Sequence, residues 1–173
     1  KRLVFMSTCS VYGFNENTCD ETTEPNPLNA YSHHKVLGEK VIKDNLDNCL
    51  IFRMGTVYGW SPKMRFDLGI NLFIEKSLWN EKIQVFGGNQ WRPLIHVKDM
   101  ARAIDWAIQH PLKKRFLALN VGSDKWTFTI KKLAQLISKT LGNTKVVLNK
   151  NSQPDKRSYT VDFSLFKKIC KEN

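Results

Sequence analysis

Leu3-Val4-Phe5-Met6-Ser7-Thr8-Cys9-Ser10 is an apolar tetrad closed by small polar residues, the pattern of a buried parallel strand that delivers a loop at its carboxyl end. Functional groups tend to gather at such ends. Downstream, Gly13 to Asn29 is rich in Asn, Thr, Glu and Pro. Pro25-Asn26-Pro27 can continue neither a helix nor a central strand, so a long surface loop is expected there. A helix is predicted next, from Ala30 to Asp44, with Val36, Leu37, Val41 and Ile42 as its apolar stripe. Leu50-Ile51-Phe52 reads as a second buried strand, ending in a Gly-containing loop from Gly55 to Gly59.

The alternation continues. Leu68 to Trp79 is a predicted helix, Ile83 to Phe86 a strand before the Gly87-Gly88 turn, and Leu94 to Val97 a strand leading into a helix that runs to His110 and stops at Pro111. Phe116 to Val121 and Lys145 to Leu148 read as strands, and Ile130 to Leu141 as a helix with Gly142 as its stop. Phe163 to Lys171 reads as a last helix. Strands alternating with helices indicate an α/β fold with a largely parallel sheet.

The 173 residues, 42% hydrophobic and 25% charged with a mean hydropathy of -0.38, suit a folded domain rather than a disordered chain. No apolar run approaches the ~20 residues of a membrane span, and the polar turn at Ser7 leaves no secretory signal. Cys9, Cys19, Cys49 and Cys170 have no metal-ligand spacing and are read as reduced thiols of a cytoplasmic protein, with no metal site. The formal charge of +11 is uneven: residues 1–86 hold ten basic and ten acidic residues, residues 87–173 seventeen and six. Such an excess suits a polyanion, a phosphorylated ligand or an acidic neighbour. Lys131, Lys132, Lys139, Lys167, Lys168 and Lys171 fall on polar helix faces, which argues for solvated surface over nucleic-acid binding. The five tryptophans form no stripe with interleaved basic residues and are read as core or pocket side chains. His96, flanked by Ile95 and Val97, is read as a hydrogen-bonded structural histidine.

Tyr31-Ser32-His33-His34-Lys35 carries the clearest chemistry. A Tyr and a Lys four apart share one helix face, and an ammonium beside a phenol favours the phenolate, which can take a proton from a substrate hydroxyl. The spacing alone is common on helix surfaces; its setting is not. Ser7-Thr8-Cys9-Ser10-Val11-Tyr12-Gly13 precedes it by one loop and offers the Thr8 hydroxyl to the same substrate oxygen.

In these two segments the sequence resembles the extended short-chain dehydrogenase/reductase family, in its NAD-dependent nucleotide-sugar epimerase and dehydratase branch. A Ser or Thr three positions before Val-Tyr-Gly, followed by Tyr-x-x-x-Lys, is that family's catalytic set, matched here by Thr8, Tyr31 and Lys35. Arg53-Met54-Gly55-Thr56-Val57-Tyr58-Gly59 is similar to its Arg-x-x-Asn-x-Tyr-Gly segment, with Thr56 in place of Asn. Gly87-Gly88-Asn89-Gln90-Trp91-Arg92-Pro93-Leu94-Ile95-His96-Val97-Lys98-Asp99 is similar to its Gly-rich turn and following strand, with Pro93 in place of Asp. Asn120-Val121-Gly122 and Asp155 to Asp162 match later landmarks.

The resemblance implies a partial doubly wound, Rossmann-like parallel sheet with a smaller C-terminal substrate-binding α/β region. Residues 1–59 would hold the C-terminal part of the dinucleotide-binding sheet and the catalytic residues. Residues 60–173 would form the substrate region, with 94–122 returning to the main sheet. It implies a 4-epimerase working through a transient keto-sugar, with NAD as cofactor (NADP the alternative), held by Tyr31 and Lys35. The partner is a nucleoside-diphosphate sugar held by Thr8, Thr56, Asn71, Arg92 and Arg157, and the intact enzyme is a homodimer. Within the same family, reductase and dehydratase readings stand as alternatives; Cys9 and Ser10, where a dehydratase has carboxylic acid after its Thr, weigh against the latter. A basic, non-enzymatic nucleic-acid or protein-binding module is the alternative of another class.

The family's Gly-rich strand-to-helix turn, which seats the cofactor pyrophosphate, has no counterpart in the 173 residues. The chain is therefore expected to be the C-terminal portion of a longer enzyme, inactive, aggregation-prone and unable to hold NAD when expressed alone. Sequencing upstream of Lys1 is expected to reveal Gly-x-x-Gly-x-x-Gly after a hydrophobic strand; a reading frame opening at Lys1, with a monodisperse, cooperatively unfolding product, would favour the binding module.

Overall fold

The computed structural model describes residues 2–110, 115–149 and 155–172. Strands β1 (Leu3–Thr8), β3 (Cys49–Met54) and β7 (Phe116–Val121) form a parallel sheet in the order β1-β3-β7. Leu3 lies opposite Cys49 and Cys49 opposite Phe116, and the register holds without a slip to Thr8, Met54 and Val121. All six residues of β3 are buried, as a central strand covered on both faces requires.

The period of two along β3 sorts its side chains between two cores. Leu50, Phe52 and Met54 pack with Leu119 and Val121 against α3 (Val97–Gln109), through Ala103 and Ala107, and against Leu165, Phe166 and Ile169 of α5 (Ser164–Glu172). Cys49 and Ile51 face the other way, onto Ile42 of α1 (Ala30–Asn45). Arg53 shares that second face. Its guanidinium donates to Glu39 of α1, from Nη2 to Oε2 at 2.7 Å and from Nε to both oxygens at 3.1 and 3.2 Å. Ser7 of β1 also donates to Glu39. From Nη1, Arg53 donates to the Tyr12 hydroxyl at 3.1 Å, which lies 2.7 Å from Asn120 Oδ1 in β7. Glu39 and Arg53 are both buried.

A second region is built from shorter pieces. β4 (Thr56–Tyr58) runs parallel to β6 (Trp91–His96), which pairs antiparallel with β8 (Thr127–Thr129). β5 (Ile83–Phe86) runs parallel to β9 (Val146–Asn149). Helices α2 (Gly69–Leu78) and α4 (Ile130–Thr140) close over Ile83, Val85 and Leu94 through Ile70, Phe73, Leu133 and Ile137. A third core, of Cys9, Val11, Tyr12, Cys19, Tyr159, Val161 and Phe163, ties the 3-10 turn Cys9–Tyr12 to the parallel pair β2 (Phe14–Cys19) and β10 (Ser158–Val161).

The predicted strands and helices are present, with ends shifted by up to three residues, the largest at β6, expected from Leu94 and found from Trp91. The expected loop at 13–29 contains β2, which the sequence conceals because its central residues are polar and it is held by backbone pairing to β10. The expected loop at 55–59 contains β4, and β8 and β10 are likewise too short to show a period. Half of the expected apolar stripe of α1 is a correction: Val36 and Ile42 do pack inward, but Leu37 is 45% and Val41 60% exposed, and the helix buries Ser32 and Glu39 with Ile42. Its inward face is polar because Arg53 must be met there, and Gly38 permits close approach, a Cβ there falling 2.9 Å from the Phe5 ring. The tryptophans are in part a second correction: Trp60 and Trp79 are exposed and Trp91 partly so, whereas Trp106 packs in the first core on Phe166 and Trp126 lines a small cavity beside Ile137 and Leu141, as expected. His96 caps α3, its Nδ1 accepting from Lys98 N at 3.2 Å. Gly142 ends α4 with a φ of 108°, whereas the Pro111 stop lies outside the described residues.

Removing one member of a buried ion pair leaves the other charge unsolvated. Arg53→Met is expected to lower the unfolding free energy by about 3–5 kcal/mol in urea titrations, and Arg53→Met with Glu39→Met together to restore part of the loss.

Candidate active site

The site is assembled where β1 ends and α1 begins. Thr8, in extended backbone, caps the 3-10 turn by accepting from Ser10 N at 3.1 Å. Gly13, at a φ of 62°, closes that turn against the chain at Asn26, where a Cβ would lie 1.9 Å from the carbonyl oxygen, so only glycine fits. The loop is held there by Asn26 N donating to Val11 O at 2.8 Å. It then delivers Asn29, whose side chain caps α1 by accepting from Ser32 N at 2.8 Å.

Tyr31 and Lys35 follow on the first turns of α1. Tyr31 is 55% exposed. Lys35 Nζ donates to Met6 O at 2.7 Å and lies 4.8 Å from the Phe5 ring centre and 5.9 Å from that of Tyr31. One hydrogen bond to β1 thus fixes the ammonium near the phenol and leaves it two further donors.

Thr8, Tyr31, Lys35, Thr56, Arg92 and Arg157 all line one cavity of about 910 Å³. Residues from β1, α1, β4, β6 and the segment before β10 converge on it. Asn71 does not join them: it is buried in α2, and its amide donates to Arg65 O at 3.0 Å, holding the loop before that helix.

Arg92 and Arg157 meet on a third residue, Asp155. Arg92 donates to Asp155 Oδ2 at 2.9 Å and to the Arg157 and Trp91 carbonyls at 2.6 and 2.8 Å. Arg157 reaches the same carboxylate from Nε and Nη2, at 2.9 and 2.5 Å. Burial alone would raise the Asp155 carboxyl, yet its bonds to Arg157 and the charge of Arg92 hold it down at about 2. Sequence reasoning missed Asp155 as a site residue, although its place two positions before Arg157 was a signal. Arg65 and Asp67, which pair with each other at 2.6 Å on the cavity wall, were missed as well.

Cys9 does not face the reaction space. Its thiol is buried, pushed up by desolvation, and donates to Arg53 O at 3.1 Å. Ser10 is engaged with the Tyr159 hydroxyl at 3.1 Å.

The family model described as "NAD dependent epimerase/dehydratase family" matches residues 1–122. A putative UDP-glucose 4-epimerase of Methanocaldococcus jannaschii is 34% identical over 151 residues, covering 82% of this chain and 47% of the relative. An uncharacterised UDP-glucose epimerase of Bacillus subtilis is 34% identical over 113 residues, 62% of this chain and 35% of the relative. The chain therefore spans less than half the length of these curated relatives. Among solved structures, MoeE5 in complex with UDP-glucuronic acid and NAD superposes with a TM-score of 0.85 at 24% identity, over 99% of this chain and 58% of the other.

Because the folded Asp155 carboxyl titrates below its unfolded value of ~3.9, its stabilisation is complete above about pH 4 and is lost as pH falls through about 2. The stability gap between the parent protein and Asp155→Asn, from urea titrations at stepped pH, is expected to be constant from pH 7 to 5 and to shrink below pH 4. A gap that stays level in acid would show that Asp155 carries no such ion pairs.

Proposed function

The chain belongs to the NAD dependent epimerase/dehydratase family, and we propose that it provides the catalytic and substrate-holding residues of a nucleotide-sugar 4-epimerase that works with NAD. What supports this most is the single cavity in which Thr8, Tyr31 and Lys35 share a wall with Arg92 and Arg157: a proton-transfer group and a phosphate-binding group within one enclosure. Residues 1–59 supply the former and residues 60–173 the latter.

NAD fits the residues present. The Tyr31 ring is exposed, and its hydroxyl is bonded to no described residue. Lys35 keeps two N–H donors after its bond to Met6, suited to ribose hydroxyls. When bound, NAD supplies the acceptor and later the donor of a hydride.

Thr8 and Tyr31 hold the sugar hydroxyl, and Tyr31 removes its proton as the carbon becomes a ketone. Lys35 stabilises negative charge on the phenol oxygen. After the keto-sugar has turned its other face, Tyr31 returns the proton. Arg92 and Arg157 hold the nucleoside diphosphate throughout, since a guanidinium fork meets phosphate oxygens in pairs, and Thr56 takes a sugar hydroxyl. Water elimination across the ring, the dehydratase course, needs a carboxylic acid after Thr8. Cys9 and Ser10 stand there, the thiol turned to a backbone carbonyl. A homodimer would use the outer side of α1, where Leu37 and Val41 are exposed one turn apart.

In the full-length enzyme that contains this chain, Tyr31→Phe is expected to reduce kcat with UDP-glucose or UDP-glucuronic acid by about 100-fold or more, with UDP affinity by calorimetry within about twofold of the parent. Turnover at the parent rate would remove Tyr31 as the base.

A further inference from the structure

Asp155 has no part in the chemistry above, yet it accepts hydrogen bonds from both arginines of the cavity wall. Its Oδ2 accepts from Arg92 Nη2 and Arg157 Nη2, both oxygens accept from Arg157 Nε, and Oδ1 also accepts from the Arg157 backbone N–H at 3.0 Å. The Nε/Nη2 edge of Arg157 is thereby filled. Arg92 is committed as well, its Nη1 to the Trp91 and Arg157 carbonyls and its Nη2 to the carboxylate. Its side chain is 11% exposed and its guanidinium lies 5.6 Å from the Tyr159 ring centre.

The guanidinium edges that grip a carboxylate are the ones that grip a phosphate. A diphosphate cannot use them while Asp155 does, and a carboxylate left beside it would repel it. Resting on the reading that Arg92 and Arg157 hold the diphosphate, we infer that Asp155 is an internal substitute for that group: it occupies the anion seat in the ligand-free protein and leaves it when the nucleotide binds. The exchange keeps both cations paired before and after binding, which prevents two neighbouring guanidiniums from repelling each other in an empty cavity. Its cost is affinity, because only the fraction of molecules with the carboxylate withdrawn is competent to bind. Asp155 is thus a specificity-determining residue: an anion must outbid a carboxylate already in place. Its withdrawal also breaks the bond from the Arg157 backbone N–H.

The test is calorimetric titration of UDP into the parent protein, Asp155→Asn, Asp155→Ser, Arg92→Ala and Arg157→Ala, together with amide exchange at Arg157 followed by NMR. The expected results are UDP binding at least about threefold tighter in both Asp155 variants, binding about tenfold or more weaker in Arg92→Ala, and faster exchange of the Arg157 amide when the parent protein binds UDP. Asp155→Ser guards against an Asn side chain that still engages the arginines. If Arg92→Ala weakens UDP but the Asp155 variants bind it no tighter, or the Arg157 amide exchanges no faster, the substitute role is overturned and the diphosphate assignment stands. If neither Arg92→Ala nor Arg157→Ala changes UDP affinity, the diphosphate assignment falls and this role with it.

Discussion

Arg53 lays a full positive charge across the middle of an apolar sheet, and Glu39 is what makes that position tenable. Taken out of water, each charge would cost several kcal/mol; together, with Ser7 and Tyr12 adding hydrogen bonds, they are satisfied. The pair dictates more than its own surroundings. It forces α1 to present a polar face to β3, it fixes the rotation of α1 about its axis, and it draws in Ser7 from β1 and, through Tyr12, Asn120 from β7. Thr8 follows Ser7 directly, and Tyr31 and Lys35 lie on the helix that carries Glu39. A charge network buried behind the cavity thereby sets where the groups in front of it can stand.

Most of the main sheet was legible because its strands are short apolar runs between clear helical periods: Leu50 to Phe52 is buried throughout, Phe116 to Val121 is buried in its second half, and Leu3 to Met6, on the edge strand, is only partly covered. What the sequence hid has a common cause. β2, β4, β8 and β10 are three to six residues long and are held by backbone pairing with at most two buried side chains each, too few to leave a pattern in side-chain polarity. The face of α1 was misjudged because a helix turned by an ion pair exposes Leu37 and Val41, residues that a hydrophobicity argument sends inward.

For the candidate site, motif order was more informative than local chemistry. Thr8, Tyr31, Lys35, Thr56, Arg92 and Arg157 come from five separate stretches of chain and line one cavity, a convergence that no spacing rule could produce. Asn71 had the same kind of support, yet it holds the Arg65 carbonyl. An amide on a helix can serve a ligand or the neighbouring loop, and only the helix's rotation decides between them. Asp155 escaped notice for the opposite reason: an acid beside two arginines reads in sequence as a surface ion pair, and its importance lies in where the arginines point.

The pairing of β2 with β10 joins residues far apart in sequence; Thr18 and Thr160, whose hydroxyls are 3.1 Å apart, are separated by 142 residues. Such contacts close a loop of well over a hundred residues, so their entropic cost exceeds that of pairing within the β1-α1-β3 unit. Asp155 and Arg157 stand immediately before β10. The proton-transfer half of the cavity therefore rests on shorter-range contacts than the arginine half does. A bound nucleotide, by bridging the two, would slow the opening of the chain's most non-local seam, and protection of β10 against hydrogen exchange would become a measure of occupancy.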